Sequence, residues 1–181
     1  MFLLEEIGVK TISLSISALD SSLNAKINET PDSFAVQLTS LCDEIKSFGF
    51  NLRLSLNINK QGFEHYKSYE EIFSAAQELG ADQITFRKLY ATDEASSQNE
   101  WIDINKMPAE WWSRLSEYIE HKGRPLNRLP FGAMKYSIMG MSTVVDDNCM
   151  NKGEKTDLKY VILRRNCKLY SEWDDPASLI F

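Results

Sequence analysis

The run from Gly49 to Tyr90, GFNLRLSLNINKQGFEHYKSYEEIFSAAQELGADQITFRKLY, constrains the fold more than any other part of this chain. It opens with a strict alternation. Leu52, Leu54, Leu56 and Ile58 fall on one side, and Arg53, Ser55, Asn57 and Asn59 on the other. This is the period of a β-strand with one apolar and one polar face. A parallel strand buried on both sides reads instead as a continuous aliphatic run. In a closed or partly closed barrel with helices outside, the polar side lines the lumen. Ser68 and Glu71 then make a capping box for a helix that presents Ile72, Phe73, Ala76 and Leu79, and Gly80 stops it. A second strand, DQITFRKLY, sets Ile84, Phe86 and Lys88 against Gln83, Thr85, Arg87 and Leu89.

The same pattern occurs upstream. In VKTISLSISALD, Ile12, Leu14 and Ile16 alternate with Thr11, Ser13, Ser15 and Ser17. After a loop through Asn28, Thr30 and Pro31 read as the N-cap and first turn of a helix. Its apolar stripe is Phe34, Leu38, Leu41, Ile45 and Phe48, with Gly49 as its stop. Cys42 lies beside that stripe, where a free cysteine acts as small core filler. Gly8, Gly49 and Gly80 each precede a strand by about three residues, so the chain repeats an αβ unit. Strands joined through helices of this length pair in parallel. Leu3, Leu4 and Ile7 before Gly8 read as the end of an incoming helix whose remainder is missing, which points to a truncated start.

Downstream the texture changes. Ala91 to Lys106 is polar and reads as a loop at the end of a strand, where parallel α/β proteins place ligand-binding segments. Pro108 opens a further helix with Trp111, Trp112, Leu115, Tyr118 and Ile119 as its apolar positions and Gly123 as its stop. From Arg124 onward, KYSIMGMSTVVDD and LKYVILRRNCKLYSEWD read as two strands joined by DNCMNKGEKTD. The expected division is thus residues 1–123 as a partial (β/α) barrel and residues 124–181 as a β-rich extension. Asp146, Asp147 and Asp157 lack the spacing of a calcium loop and read as a solvated turn.

The 181 residues carry a net charge of −6, which argues against binding to nucleic-acid phosphates. No run approaches the length of a membrane span, and the N-terminus has no signal-peptide pattern, so a cytoplasmic location is expected. Cys42, Cys149 and Cys167 are too widely spaced for a zinc site or a disulfide framework. His65 and His121 read as structural or solvent-facing.

The phrases ISLSISALD, LRLSLNINKQG and ELGADQITFRKLY resemble the C-terminal half of the partial (β/α) barrel of radical S-adenosylmethionine enzymes, and LRRNCKLYSEWDD is similar to the end of some small members. The fold this implies is α/β: a partial (half) TIM-like barrel of three parallel strands with flanking helices, plus a C-terminal antiparallel hairpin. The resemblance also implies a lumen that binds S-adenosylmethionine across the strand ends. By position, Ser15 and Ser17 correspond to the strand that touches the ribose, and Asn57 or Asn59 to a strand that reaches the ribose or carboxylate. Arg87 is an inward guanidinium suited to a carboxylate. The family's chemistry needs C-x-x-x-C-x-x-C to hold a four-iron cluster, and this sequence has no such motif. The expectation is a non-catalytic half barrel acting as a binding, regulatory or inhibitor protein. The alternative is the C-terminal fragment of a split enzyme completed by a chain that carries the cluster. Retention of S-adenosylmethionine binding without cleavage is a third reading. An open half barrel leaves the edge of its first strand unpaired, so self-association or a partner protein is expected there.

Overall fold

A computed structural model describes residues 4, 6–31, 37–91, 96–129, 132–146, 162–163, 166–171 and 178–180. The chain divides into two compact units, Met1–Cys149 and Met150–Phe181. The strands that directly follow Gly123 belong to the sheet of the first unit.

That sheet has six strands: β1 (Thr11–Ile16), β2 (Asn51–Asn57), β3 (Gln83–Arg87), β4 (Arg124–Arg128), β5 (Met134–Ile138) and β6 (Met141–Asp146). Their order is β1-β2-β3-β6-β5-β4. The pairs β1–β2, β2–β3 and β3–β6 are parallel, and β6–β5 and β5–β4 are antiparallel. The three expected strands are therefore adjacent and co-directional, and β6, expected as part of an antiparallel hairpin strand, pairs with β3 as a fourth parallel strand.

Among the described residues, six helices connect these strands: α1 (Ser21–Ile27), α2 (Leu38–Ser47), α3 (Lys60–Phe63), α4 (Tyr69–Glu78), α5 (Ser97–Asn105) and α6 (Ala109–Lys122). The apolar sides of the strands form the core. Leu52, Leu54, Leu56, Ile84 and Phe86 are all but inaccessible, and Cys42 and Ile45 of α2 pack among them. Phe73 of α4 meets Phe86 of β3 with ring centroids 5.5 Å apart and stacks on Tyr118 of α6 at 5.9 Å. Burying side chains of this size stabilises by about 1.5–3 kcal/mol each, which makes this face the main source of cohesion. Ser68 caps α4 by accepting from the Glu71 amide at 3.3 Å, and the Glu71 carboxylate reaches back to the Lys67 amide at 2.8 Å. Gly8 closes the incoming turn at φ +83°, with the Val9 amide bonded to the Leu4 carbonyl.

Several local expectations are corrected. The loop expected through Asn28 contains α1, capped by the Asp20 carboxylate on the Leu23 amide at 2.7 Å. The helix expected from Thr30 begins at Leu38 with Gln37 at its N-cap, while Phe34 lies outside the described residues. The polar stretch expected as a loop from Ala91 holds α5, capped by Ser96. KYSIMGMSTVVDD is two strands, β5 and β6, joined through Met139 (φ +49°) and Gly140 (φ +81°). Two successive positive φ angles mark a tight hairpin turn that twists with its strands. The stretch DNCMNKGEKTD lies wholly outside the described residues.

In the second unit, β7 (Ile162–Leu163) and β8 (Leu169–Tyr170) form a small antiparallel hairpin. A C-terminal antiparallel hairpin is thus present, between Ile162–Leu163 and Leu169–Tyr170. Asn166 steadies it by donating to the Tyr170 hydroxyl at 2.9 Å and accepting from the Lys168 amide at 3.1 Å.

Candidate functional site

The strand registers bring the polar residues into rows. Ser13, Arg53, Gln83 and Ser142 align across the sheet, then Ser15, Ser55, Thr85 and Val144, then Asn57, Arg87 and Asp146. Residues in register on neighbouring strands project to the same side, so all three rows share the face opposite the helix-packed core. The first row is wet: Ser13 and Arg53 are exposed, and the Arg53 guanidinium donates twice to the Gln83 side-chain oxygen, at 2.9 and 2.7 Å. Toward the C-terminal ends of β2, β3 and β6 the face becomes occluded, while Ser15 on β1 stays exposed. Ser55 is 1% exposed, and Asn57, Thr85, Arg87 and Asp146 are half-buried.

Among the described residues, two buried polar atoms on this face have no hydrogen-bond partner, the Ser55 hydroxyl and the Arg87 Nε. Such atoms are rare in folded proteins because each forfeits its bond to water. They occupy adjacent rows on adjacent strands, Ser55 beside Thr85 and Asn57 beside Arg87. The pairing state suits a ligand carrying acceptors, since a guanidinium edge and a hydroxyl can both donate.

The five expected site residues separate into two groups. Ser15, Asn57 and Arg87 lie together on the polar face. Ser17 and Asn59 lie just beyond their strand ends and are used internally. The Ser17 hydroxyl contacts Asn28 Oδ1 at 3.1 Å, and its amide donates to Asn24 Oδ1 at 2.7 Å. Asn59 is fully buried: its amide donates to the Ser17 and Asn57 carbonyls at 2.7 and 2.9 Å, and its Oδ1 caps α3 through the Gly62 amide at 2.8 Å. All the usual bonds of that side-chain amide are thereby made, so it locks the end of β1 to the start of α3. Ser55 and Asp146 were not singled out as site residues. Alternation marks Ser55 as polar-facing. Asp146, expected in a turn, ends β6, and only strand pairing reveals its place beside Arg87.

A concavity of about 500 Å³ opens beyond the end of β3, lined by Lys88, Tyr90, Lys106, Met107, Trp112 and Ser116 among others. The Lys88 ammonium lies 5.2 Å from the Trp112 ring centroid, and Lys106 pairs with Asp103 at 2.7 Å. Trp112 is buried at its floor, as the helical spacing of the tryptophans indicated. His121 lies in the last turn of α6, and His65 packs on Tyr66 at 4.3 Å. Among the described residues, no group of three His, Cys, Asp or Glu side chains is arranged to hold a metal ion, and no helix is long and apolar enough to cross a membrane. No family model matches the chain, and no curated protein matches its sequence.

Proposed function

We propose that this chain is a non-catalytic binding protein built on half of a radical S-adenosylmethionine barrel, and that its polar sheet face holds S-adenosylmethionine or a similar small carboxylate. The carrying observation is the pair of unpartnered buried donors, Ser55 Oγ and Arg87 Nε, on a face formed by parallel strands. Arg87 would take the carboxylate, with Asn57 beside it, and Ser55 would donate to a further oxygen. The ligand is held whole: the motif for the cluster that would cleave it is not encoded in these residues.

Calorimetry with S-adenosylmethionine tests this reading. Arg87→Ala should weaken binding roughly tenfold to a hundredfold, the usual worth of a charge-assisted hydrogen bond. Asn57→Ala should weaken it less. Ser55→Ala should lose affinity while raising the stability of the unliganded protein, because it removes a buried hydroxyl without a partner. Absence of binding to the wild-type chain, or indifference to Arg87→Ala, would overturn the proposal.

The place of β1 at the end of the sheet among the described residues favours a second reading, a fragment of a split radical enzyme completed by a polypeptide that carries the cluster. Anaerobic reconstitution with iron and sulfide bears on both. If the purified chain alone assembles a four-iron cluster and cleaves S-adenosylmethionine, the non-catalytic reading fails.

A further inference from the structure

The two edges of the six-stranded sheet differ in kind. At one edge β4 has the sequence RPLNR, exposed throughout, with Arg124, Pro125, Arg128 and a register shift against β5. Proline, charge and irregular pairing are the devices by which proteins prevent edge-to-edge association. At the other edge β1 has the sequence TISLSI, with no charge, no proline and an unbroken register against β2. Its apolar residues Ile12 and Leu14 are only half-buried, whereas Leu52 and Leu54, their neighbours on β2, are sealed.

The backbone of β1 shows which groups face outward. The Asn51 amide donates to the Lys10 carbonyl at 2.9 Å, so the even-numbered residues of β1 bond to β2. The amides and carbonyls of Thr11, Ser13 and Ser15 therefore point away from the sheet. Among the described residues no backbone bond reaches them.

We infer that β1 is a homodimer interface in which two copies pair antiparallel about a two-fold axis at Leu14, joining their sheets into one. The argument is self-complementarity. Residues 12–16 read ISLSI in either direction. An antiparallel partner centred on Leu14 sets Ser13 against Ser15 of the partner subunit. Both of these residues turn their amide and carbonyl outward, so each such pair exchanges two hydrogen bonds. On the apolar face the same register pairs Ile12 with Ile16 of the partner subunit and Leu14 with its own copy. Sliding the register by two residues toward the N-terminus brings Lys10 against Ile16, and sliding it the other way loses one of the three aliphatic pairs. A two-fold axis is also the symmetry that a self-complementary patch generates. This inference does not depend on the ligand proposed for the polar face.

Sedimentation velocity from about 1 to 100 μM tests it, a range in which dissociation follows mass action. The wild-type chain should approach twice its monomer mass. Ser13→Lys combined with Ser15→Lys sets like charges opposite one another and should weaken dimerisation roughly a hundredfold or more. Ser13→Lys combined with Ser15→Glu places opposite charges across the axis in this register alone, and should restore the dimer. Both sites are exposed, so circular dichroism should show unchanged folding. A wild-type monomer across the range, a dimer indifferent to the paired lysines, or failure of the lysine–glutamate combination to restore it would each overturn the inference.

Discussion

Asn59 and Gly62 carry more of the local structure than their size implies. A methyl group on Gly62 would sit 2.0 Å from the Ser17 carbonyl oxygen, which is backbone and cannot swing away. Gly62→Ala should therefore force β1 and α3 apart and destabilise the protein by more than the roughly 1 kcal/mol that a helical glycine ordinarily costs or gains. Asn59→Ala strands the Ser17 carbonyl and the Gly62 amide in a buried site, and a loss of about 2–4 kcal/mol is expected in urea unfolding. The cysteines make a sharper chemical contrast. Cys42 is 1% exposed and burial pushes its thiol up, with Asp43 adding to the effect, whereas Cys167 is exposed. Because the thiolate is the reactive form, iodoacetamide near neutral pH should label Cys167 in the native protein and leave Cys42 untouched until urea is added. Mass spectrometry of the tryptic peptides checks this. Neither the closeness of Gly62 to Ser17 nor the bond from Asn59 to Ser17 can be read along the chain, since the partners are 45 and 42 positions apart.

Among the elements, the β5–β6 hairpin shows how local chemistry sets pairing. Its turn demands positive φ at both Met139 and Gly140, and a methionine tolerates this less well than asparagine or glycine. Met139→Asn should stabilise by about 0.5 kcal/mol and Gly140→Ala should destabilise by about 1 kcal/mol, both measured as shifts in the thermal midpoint. The signal that could have found this turn was the single Gly140 inside an apolar run. It was missed because a methionine occupies the other turn position, where asparagine or aspartate would have announced the hairpin. Helix α5 was missed for a related reason: its apolar stripe is short, and its polar residues read equally well as a loop until Ser96 is seen capping it. By contrast, α4 and α6 were legible, because Ser68 with Glu71 and Pro108 with Gly123 punctuate strongly periodic segments.

Taken whole, the first unit stores part of its stability in groups that must stay neutral. Burial is the leading cause that raises Cys42, Tyr66, Tyr69 and Tyr118 above their ordinary values of 9.0 for the thiol and 10.0 for the phenols. Their folded forms hold protons that the unfolded chain releases sooner. This contribution is therefore complete below those ordinary values and is lost as pH rises through the higher folded ones. Urea midpoints should be level from about pH 7 to 8.5 and fall progressively above about pH 9. A flat profile to pH 11 would contradict the assigned burial. What the chain order alone established was the αβ repeat, the two-faced character of β1, β2 and β3, and the face on which Ser15, Asn57 and Arg87 lie. Those follow from periodicity, which is a property of neighbours along the backbone. Which strand lies beside β3, that Asp146 ends up in register with Arg87, and that Ser55 and Arg87 keep buried donors without partners are products of long-range pairing. Hydrogen bonding between strands chooses among many partners of similar local pattern, and only the folded sheet makes that choice.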